Sequence, residues 1–195
     1  MKTGLYFGSF NPIHTGHLII AQHLLNETDL QQVWFVVSPQ NPFKQQKTLL
    51  NEYDRLYLVN LAIQKTSGFK ATDIEFNLPK PSYTIDTLTY LEEKYPQHEF
   101  VLIMGSDSLQ NLDKWKNAET IMQNYPVYVY DRPGFPADQP EIKQLTRLKA
   151  PLLEISATHI RELVQQGKSI RYLVPDEVLD EIEKSGYYKL KNPAK

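Results

Sequence analysis

Residues 100–104 read FVLIM, five apolar side chains in a row that stop on Gly105. A strand with one wet face alternates apolar and polar residues, whereas an unbroken apolar run belongs to a strand covered on both faces. A second run, VWFVV at 33–37, closes on Ser38-Pro39, and shorter ones occupy Leu5–Phe7 and Val127–Tyr130. Phe69–Ile74 and Leu152–Ile155 read as two more strands. Helical spacing fills the intervals. His17–Asn26 has apolar Leu18, Ile19, Ala21, Leu24 and Leu25 on one face, with Thr15 expected as its N-cap. Asn51–Lys65 and Tyr83–Tyr95 follow, the latter stopped by Pro96. Thr158–Gln166 closes on Gly167, and Pro175–Lys184 on Gly186. Strands that alternate with helices predict an α/β fold: a doubly wound, mostly parallel sheet with helices on both faces. The chain has 195 residues, 41% of them apolar, and no linker or repeat divides it, so one domain over 1–195 is expected.

In such a sheet, ligands bind beyond the carboxyl ends of the strands. Gly8–His17, Ser38–Lys44, Gly105–Asp107, Arg132 and Ser156–Arg161 all follow strands and therefore share that edge. The net charge of −2, with both signs interspersed, argues against a dedicated nucleic-acid surface. The absence of cysteine excludes a disulfide scaffold, a thiolate metal site and a Cys nucleophile. No apolar run approaches the roughly 18 residues of a membrane span, and MKTGLYFGSF lacks a signal-peptide core. A cytoplasmic protein without membrane or nucleic-acid partners is expected. The composition leaves room for a homo-oligomer.

GSFNPIHTGHL, residues 8–18, has the order strand, small residues, helix start. That order presents backbone N–H groups to an anion, although neither G-x-x-x-x-G-K-[ST] nor G-x-G-x-x-G occurs. His14 and His17 would flank a phosphate there. A metal site would need a third ligand, which the loop does not supply. His23 and His98 have no such setting and read as solvated. In ISATHIR, residues 155–161, Ser156 or Thr158 would cap a helix whose first turn carries His159 and Arg161. Cations there oppose the helix dipole by about 0.3–1 kcal/mol each unless an anion sits at the terminus. The competing reading turns Arg161 to a surface carboxylate such as Glu162. Lys44, in PQNPFK, could reach the same phosphate.

Together these stretches resemble the nucleotidyltransferase family that carries HxGH and ISSTxIR motifs. Within it, SYTIDTL (82–88), MGSDSL with Trp115 downstream, and DRPG (131–134) resemble the branch of nicotinate mononucleotide adenylyltransferases. The resemblance implies a Rossmann-like nucleotidyltransferase fold and transfer of an adenylyl group from ATP to a pyridine mononucleotide. It also implies Mg²⁺ bound mainly through ATP phosphates. Carried over by position, His14 and His17 are the catalytic pair. Gly8, Ser9, Phe10, Lys44, Ser156, Thr158 and Arg161 would bind ATP or its phosphates. Thr84, Gly105, Asp107, Trp115 and Arg132 would bind nucleotide and substrate, with Trp115 as a half-exposed stacking wall. Asn11 stands where Asp is common, Ala157 where Ser is common and Phe43 where His is frequent. Two alternatives stay open: nicotinamide mononucleotide as acceptor, and a nucleotide-binding module without catalysis.

Overall fold

A computed structural model describes residues 1–39, 49–132, 134–135, 141–151 and 153–190. Among these, six strands form one sheet: β1 (Lys2–Gly8), β2 (Gln32–Val37), β3 (Phe69–Thr72), β4 (Glu99–Gly105), β5 (Val127–Tyr130) and β6 (Leu145–Leu148). The helices are α1 (Thr15–Glu27), α2 (Glu52–Ile63), α3 (Thr84–Lys94), α4 (Ser106–Leu109), α5 (Ala118–Asn124), α6 (Ala157–Gln165) and α7 (Asp176–Ser185). The strand order is β3-β2-β1-β4-β5-β6, and every neighbouring pair is parallel. The chain winds outward from β1 to β3, then restarts at β4 on the other side of β1. The β1/β4 boundary is therefore the switch point where the fold opens a crevice.

Side-chain alternation along buried strands builds two cores. Val33, Phe35 and Val37 of β2 pack with Ala21 and Leu24 of α1, Leu58 and Val59 of α2, Ile160 of α6 and Leu179 of α7. Trp34 and Val36 turn to the opposite face, with Leu88 and Leu91 of α3, Leu109 of α4 and Ile121 of α5. Helices cover both faces, which is why the interior strands carry the unbroken apolar runs VWFVV and FVLIM.

Several local expectations change. His14 is extended (φ −145°, ψ 167°) and is the N-cap of α1, so Thr15 is the first helical residue instead. The Thr15 hydroxyl is drawn away to donate to the Tyr172 carbonyl at 3.2 Å. Phe69–Ile74 shortens to β3, and Ile74–Asn77 forms a 3₁₀ turn. The strand expected at Leu152–Ile155 is absent from described residues 153–155, and Leu152 lies outside them. The sixth strand is LTRL at 145–148, an edge strand whose Thr146 and Arg147 are exposed, so it carries no apolar run. The region between β4 and β5, unassigned from sequence, holds α4, a 3₁₀ turn at Leu112–Lys114 and α5. His98 is not solvated: it is half-buried, hydrogen-bonded to the Thr3 hydroxyl at 2.8 Å and stacked on Phe100. No described helix is long and apolar enough to cross a membrane.

Candidate active site

The loop leaving β1 turns sharply into α1. Phe10 adopts φ +43° and buries its ring edge-on against Tyr6, Phe35 and His17. With only 2% of its surface exposed, Phe10 cannot offer its side chain to a cleft. Any part it takes in lining the site falls to its backbone. The Asn11–Pro12 peptide is cis.

The two imidazoles then stack, centroids 3.6 Å apart and planes 25° apart. Gly16 permits this approach, because a Cβ there would press on His14 Nδ1 at 3.1 Å. The His14 N–H donates to His17 Nδ1 at 3.3 Å. Nδ1 is thereby the acceptor, so the proton of a neutral His17 ring sits on Nε2. His14 Nδ1 is buried without a partner among the described residues.

Both rings are neutral at pH 7. Burial, aided by the Arg132 cation, pulls His14 down to about 4. Burial first, then His14 and Arg132, holds His17 well below its usual 6.5. Taking a ring out of water penalises its charged form, and a facing guanidinium adds to that penalty.

The second motif meets the first directly. Arg161 is 8% exposed and donates from Nη1 to the Asn11 carbonyl at 2.7 Å. Its Nη2 donates to the Thr158 hydroxyl at 3.2 Å. Arg161 thus turns inward to the histidine loop, not outward to Glu162. Ser156 caps α6 by accepting from the His159 N–H at 3.2 Å. Ser156 and Thr158 are exposed at this terminus. The α1 end is tied in by Thr15 N–H donating to Leu173 O at 2.9 Å.

Across the switch point, Gly105 ends β4. A Cβ there would collide with Asp107 Oδ1 and come within 3.0 Å of Arg132 Cδ. Asp107 and Arg132 form an ion pair at 2.8 Å over this glycine. The Arg132 N–H donates to the Ser106 hydroxyl at 2.8 Å. A pocket of about 70 Å³ opens beside them, lined by Phe7, Gly105, Ser108, Trp115 and Tyr130. Trp115 is half-buried and packs against the core on this face. Thr84 opens α3 on the same edge, and Lys116 reaches over the Tyr83 ring to Asp86 at 2.8 Å, joining the two segments.

The carboxyl edge thus gathers Gly8, Ser9, the Phe10 backbone, His14, His17, Gly105, Asp107, Arg132, Ser156, Thr158 and Arg161, with Thr84 and Trp115 at its rim. Lys44 and Phe43 lie outside the described residues. Two buried charged residues nearby were not singled out from sequence. Among the described residues, Arg55 of α2 donates to backbone carbonyls, and Glu75 accepts from the Ser82 and Thr87 hydroxyls at 3.0 and 2.9 Å. Burial raises the Glu75 carboxyl above its ordinary range. The sequence signal for both was a charged residue on an otherwise apolar face, which solvated positions also produce.

A family model described as cytidylyltransferase-like matches residues 5–163, a span that takes in both motifs, most of β1 and the other five strands. The chain belongs to that cytidylyltransferase-like family. It is 57% identical over 189 residues to the probable nicotinate-nucleotide adenylyltransferase of Cytophaga hutchinsonii, covering 96% of this chain and 98% of that one. To the probable nicotinate-nucleotide adenylyltransferase of Flavobacterium psychrophilum it is 50% identical, covering 97% and 100%. Among solved structures, the fold is similar to Plasmodium falciparum nicotinic acid mononucleotide adenylyltransferase complexed with NaAD. That match has a TM-score of 0.81 at 20% identity, covering 96% of this chain and 97% of that one.

Proposed function

We propose that this family member joins ATP to nicotinate mononucleotide, giving deamido-NAD and pyrophosphate. The observation that carries the reading is the convergence at the β1/β4 switch point. Two stacked neutral imidazoles and the α6 terminus meet there through the Arg161–Asn11 bond of 2.7 Å. The names of the relatives at 57% and 50% identity support the choice of reaction.

In this reading the 5′-phosphate oxygen of the mononucleotide attacks the α-phosphorus of ATP. The bond from that phosphorus to the β-phosphate oxygen breaks, and pyrophosphate leaves. The nucleophile is already an anion, so the protein supplies position and charge stabilisation rather than a strong base. His17 donates its Nε2–H to an α-phosphoryl oxygen as charge builds there. His14 steadies the same phosphate chain. Gly8, Ser9 and Phe10 offer backbone, Lys44 adds positive charge, and Ser156, Thr158 and Arg161 meet the leaving β,γ-phosphates. Gly105 and Asp107 bind ribose or base, Arg132 assists nucleotide binding, and Thr84 and Trp115 hold the pyridine nucleotide. Mg²⁺ enters as part of MgATP, on phosphate oxygens and water.

The test is pyrophosphate release by the purified protein with MgATP and nicotinate mononucleotide, then with nicotinamide mononucleotide. Release with the nicotinate compound, at least tenfold faster than with the amide, is expected. Faster release with the amide would reassign the acceptor, and ATP binding without release from either would leave only a binding module.

A further inference from the structure

Arg55, on the first turn of α2, has no solvent exposure. Among the described residues no carboxylate pairs with it. Its guanidinium is spent on four backbone carbonyls. Nε donates to Leu50 O at 2.9 Å, Nη1 to Ser9 O at 2.5 Å and to Ser38 O at 2.8 Å, and Nη2 to Pro39 O at 3.1 Å. These acceptors belong to three segments: the loop after β1, the end of β2, and the approach to α2. Asn11 Oδ1 adds a second tie by accepting from the Leu50 N–H at 3.2 Å.

Burying a cation costs several kcal/mol before any compensation. Filling this volume with leucine or methionine would avoid that cost. What an apolar side chain cannot do is hold four carbonyls from three segments in one planar fork of donors. One of the four has chemical consequences. Ser9 O and Phe10 N share a trans amide, in which C=O and N–H point opposite ways. Drawing Ser9 O onto the buried guanidinium turns the Phe10 N–H away from it. Phe10 keeps its side chain in the core, so at this residue it is the backbone that is left to meet a phosphate.

We propose that Arg55 is a positioning residue for the ATP half of the reaction. It fixes the orientation of the Ser9–Phe10 peptide and locks the β1 loop to the end of β2, so that the triphosphate meets a finished cradle. This rests on the adenylyl-transfer reading given above.

The experiment compares Arg55→Lys with Val59→Ala, a cavity variant on the same helix whose parent side chain is fully buried. Both are assayed well below their melting temperatures. A lysine ammonium cannot span four carbonyls. The expected result for Arg55→Lys is a kcat lower by about 10–100-fold and a KM for ATP raised about fivefold or more, because small misplacements at a reacting centre are costly. The KM for the mononucleotide should stay within about twofold. Val59→Ala should keep both KM values whatever its melting temperature. If Arg55→Lys does not fold, Arg55→Met, which buries no charge, is read by the same criteria. Wild-type kcat and KM for ATP in the Arg55 variant would overturn the proposal, as would equal changes in both KM values or the same pattern in Val59→Ala. Should the wild-type protein release no pyrophosphate, the reaction assignment falls, and Arg55 is judged on MgATP affinity alone. There a loss of about fivefold supports it and unchanged affinity overturns it.

Discussion

The half of the site around the histidines is built from buried groups, two neutral imidazoles and a guanidinium fixed to backbone, whereas the half beyond β4 is built from exposed charge. On the first side, His14 is 6% exposed and Arg161 8%, and each is fixed by stacking or by bonds to backbone. On the second, the Asp107 and Arg132 side chains are 30% and 47% exposed, and Trp115 borders an open pocket. The difference separates two tasks. Charge that develops during a reaction is best met by dipoles that need not reorganise, in a place that excludes water. A diffusing mononucleotide needs a surface it can enter, where exposed charges and an aromatic face guide and hold it. One link joins the halves: the Arg132 cation helps keep both imidazoles neutral.

Four substitutions or conditions would break or sharpen that contrast. The largest effect is expected from His17→Ala, which removes the Nε2–H donor: kcat should fall about a hundredfold or more, with KM for ATP within about threefold. A KM change as large as the kcat change would move His17 to ground-state binding. Next comes acid sensitivity of the buried half. His14 is held near 4, against 6.5 in a free chain, so the folded state binds fewer protons than the unfolded one between those values. Stability from this group is complete above pH 6.5 and is lost as the pH falls toward 4, by about 2 kcal/mol between pH 7 and pH 5. Urea unfolding at the two pH values should show at least that loss, since the depressed His17 adds to it, and His14→Gln should reduce it; a loss that the substitution leaves unchanged would mean the His14 ring is solvated. On the open side, Trp115→Ala should raise the KM for the mononucleotide about tenfold with a smaller change in kcat, since a lost stacking face is a lost binding contact. A fall in kcat alone would erase the division of labour. The smallest effect belongs to Lys116→Ala at the rim. Its pair with Asp86 at 2.8 Å is 44% and 41% exposed, so removing it should cost about 0.5 kcal/mol or less in thermal unfolding.

Legibility followed the same boundary between local and long-range causes. FVLIM and VWFVV could be read as central strands because double burial leaves its mark on every residue. LTRL at 145–148 could not, since an edge strand with two exposed side chains has little apolar signal of its own. The α1 start was misplaced by one residue because the Thr15 hydroxyl answers to Tyr172, 157 positions away. The histidine loop and ISATHIR were legible as unusual chemistry at helix starts, and the structure brings them together. Arg55 and Glu75 were not, because their partners are backbone carbonyls and distant hydroxyls that no spacing in the chain announces. Phe10 shows the remaining gap: its place in the motif was visible, but its φ of +43° and the turning of its ring into the core were not.

The central claim is that a pair of neutral imidazoles faces the triphosphate. The most direct measurement is proton–nitrogen NMR of histidine-labelled protein at pH 7, without and with saturating MgATP. His14 and His17 are both expected to be neutral in the free protein, with the His17 proton on Nε2. MgATP is expected to shift the signals of these two rings while those of His23 and His98 stay in place. Unmoved His14 and His17 signals at saturating MgATP would contradict that claim.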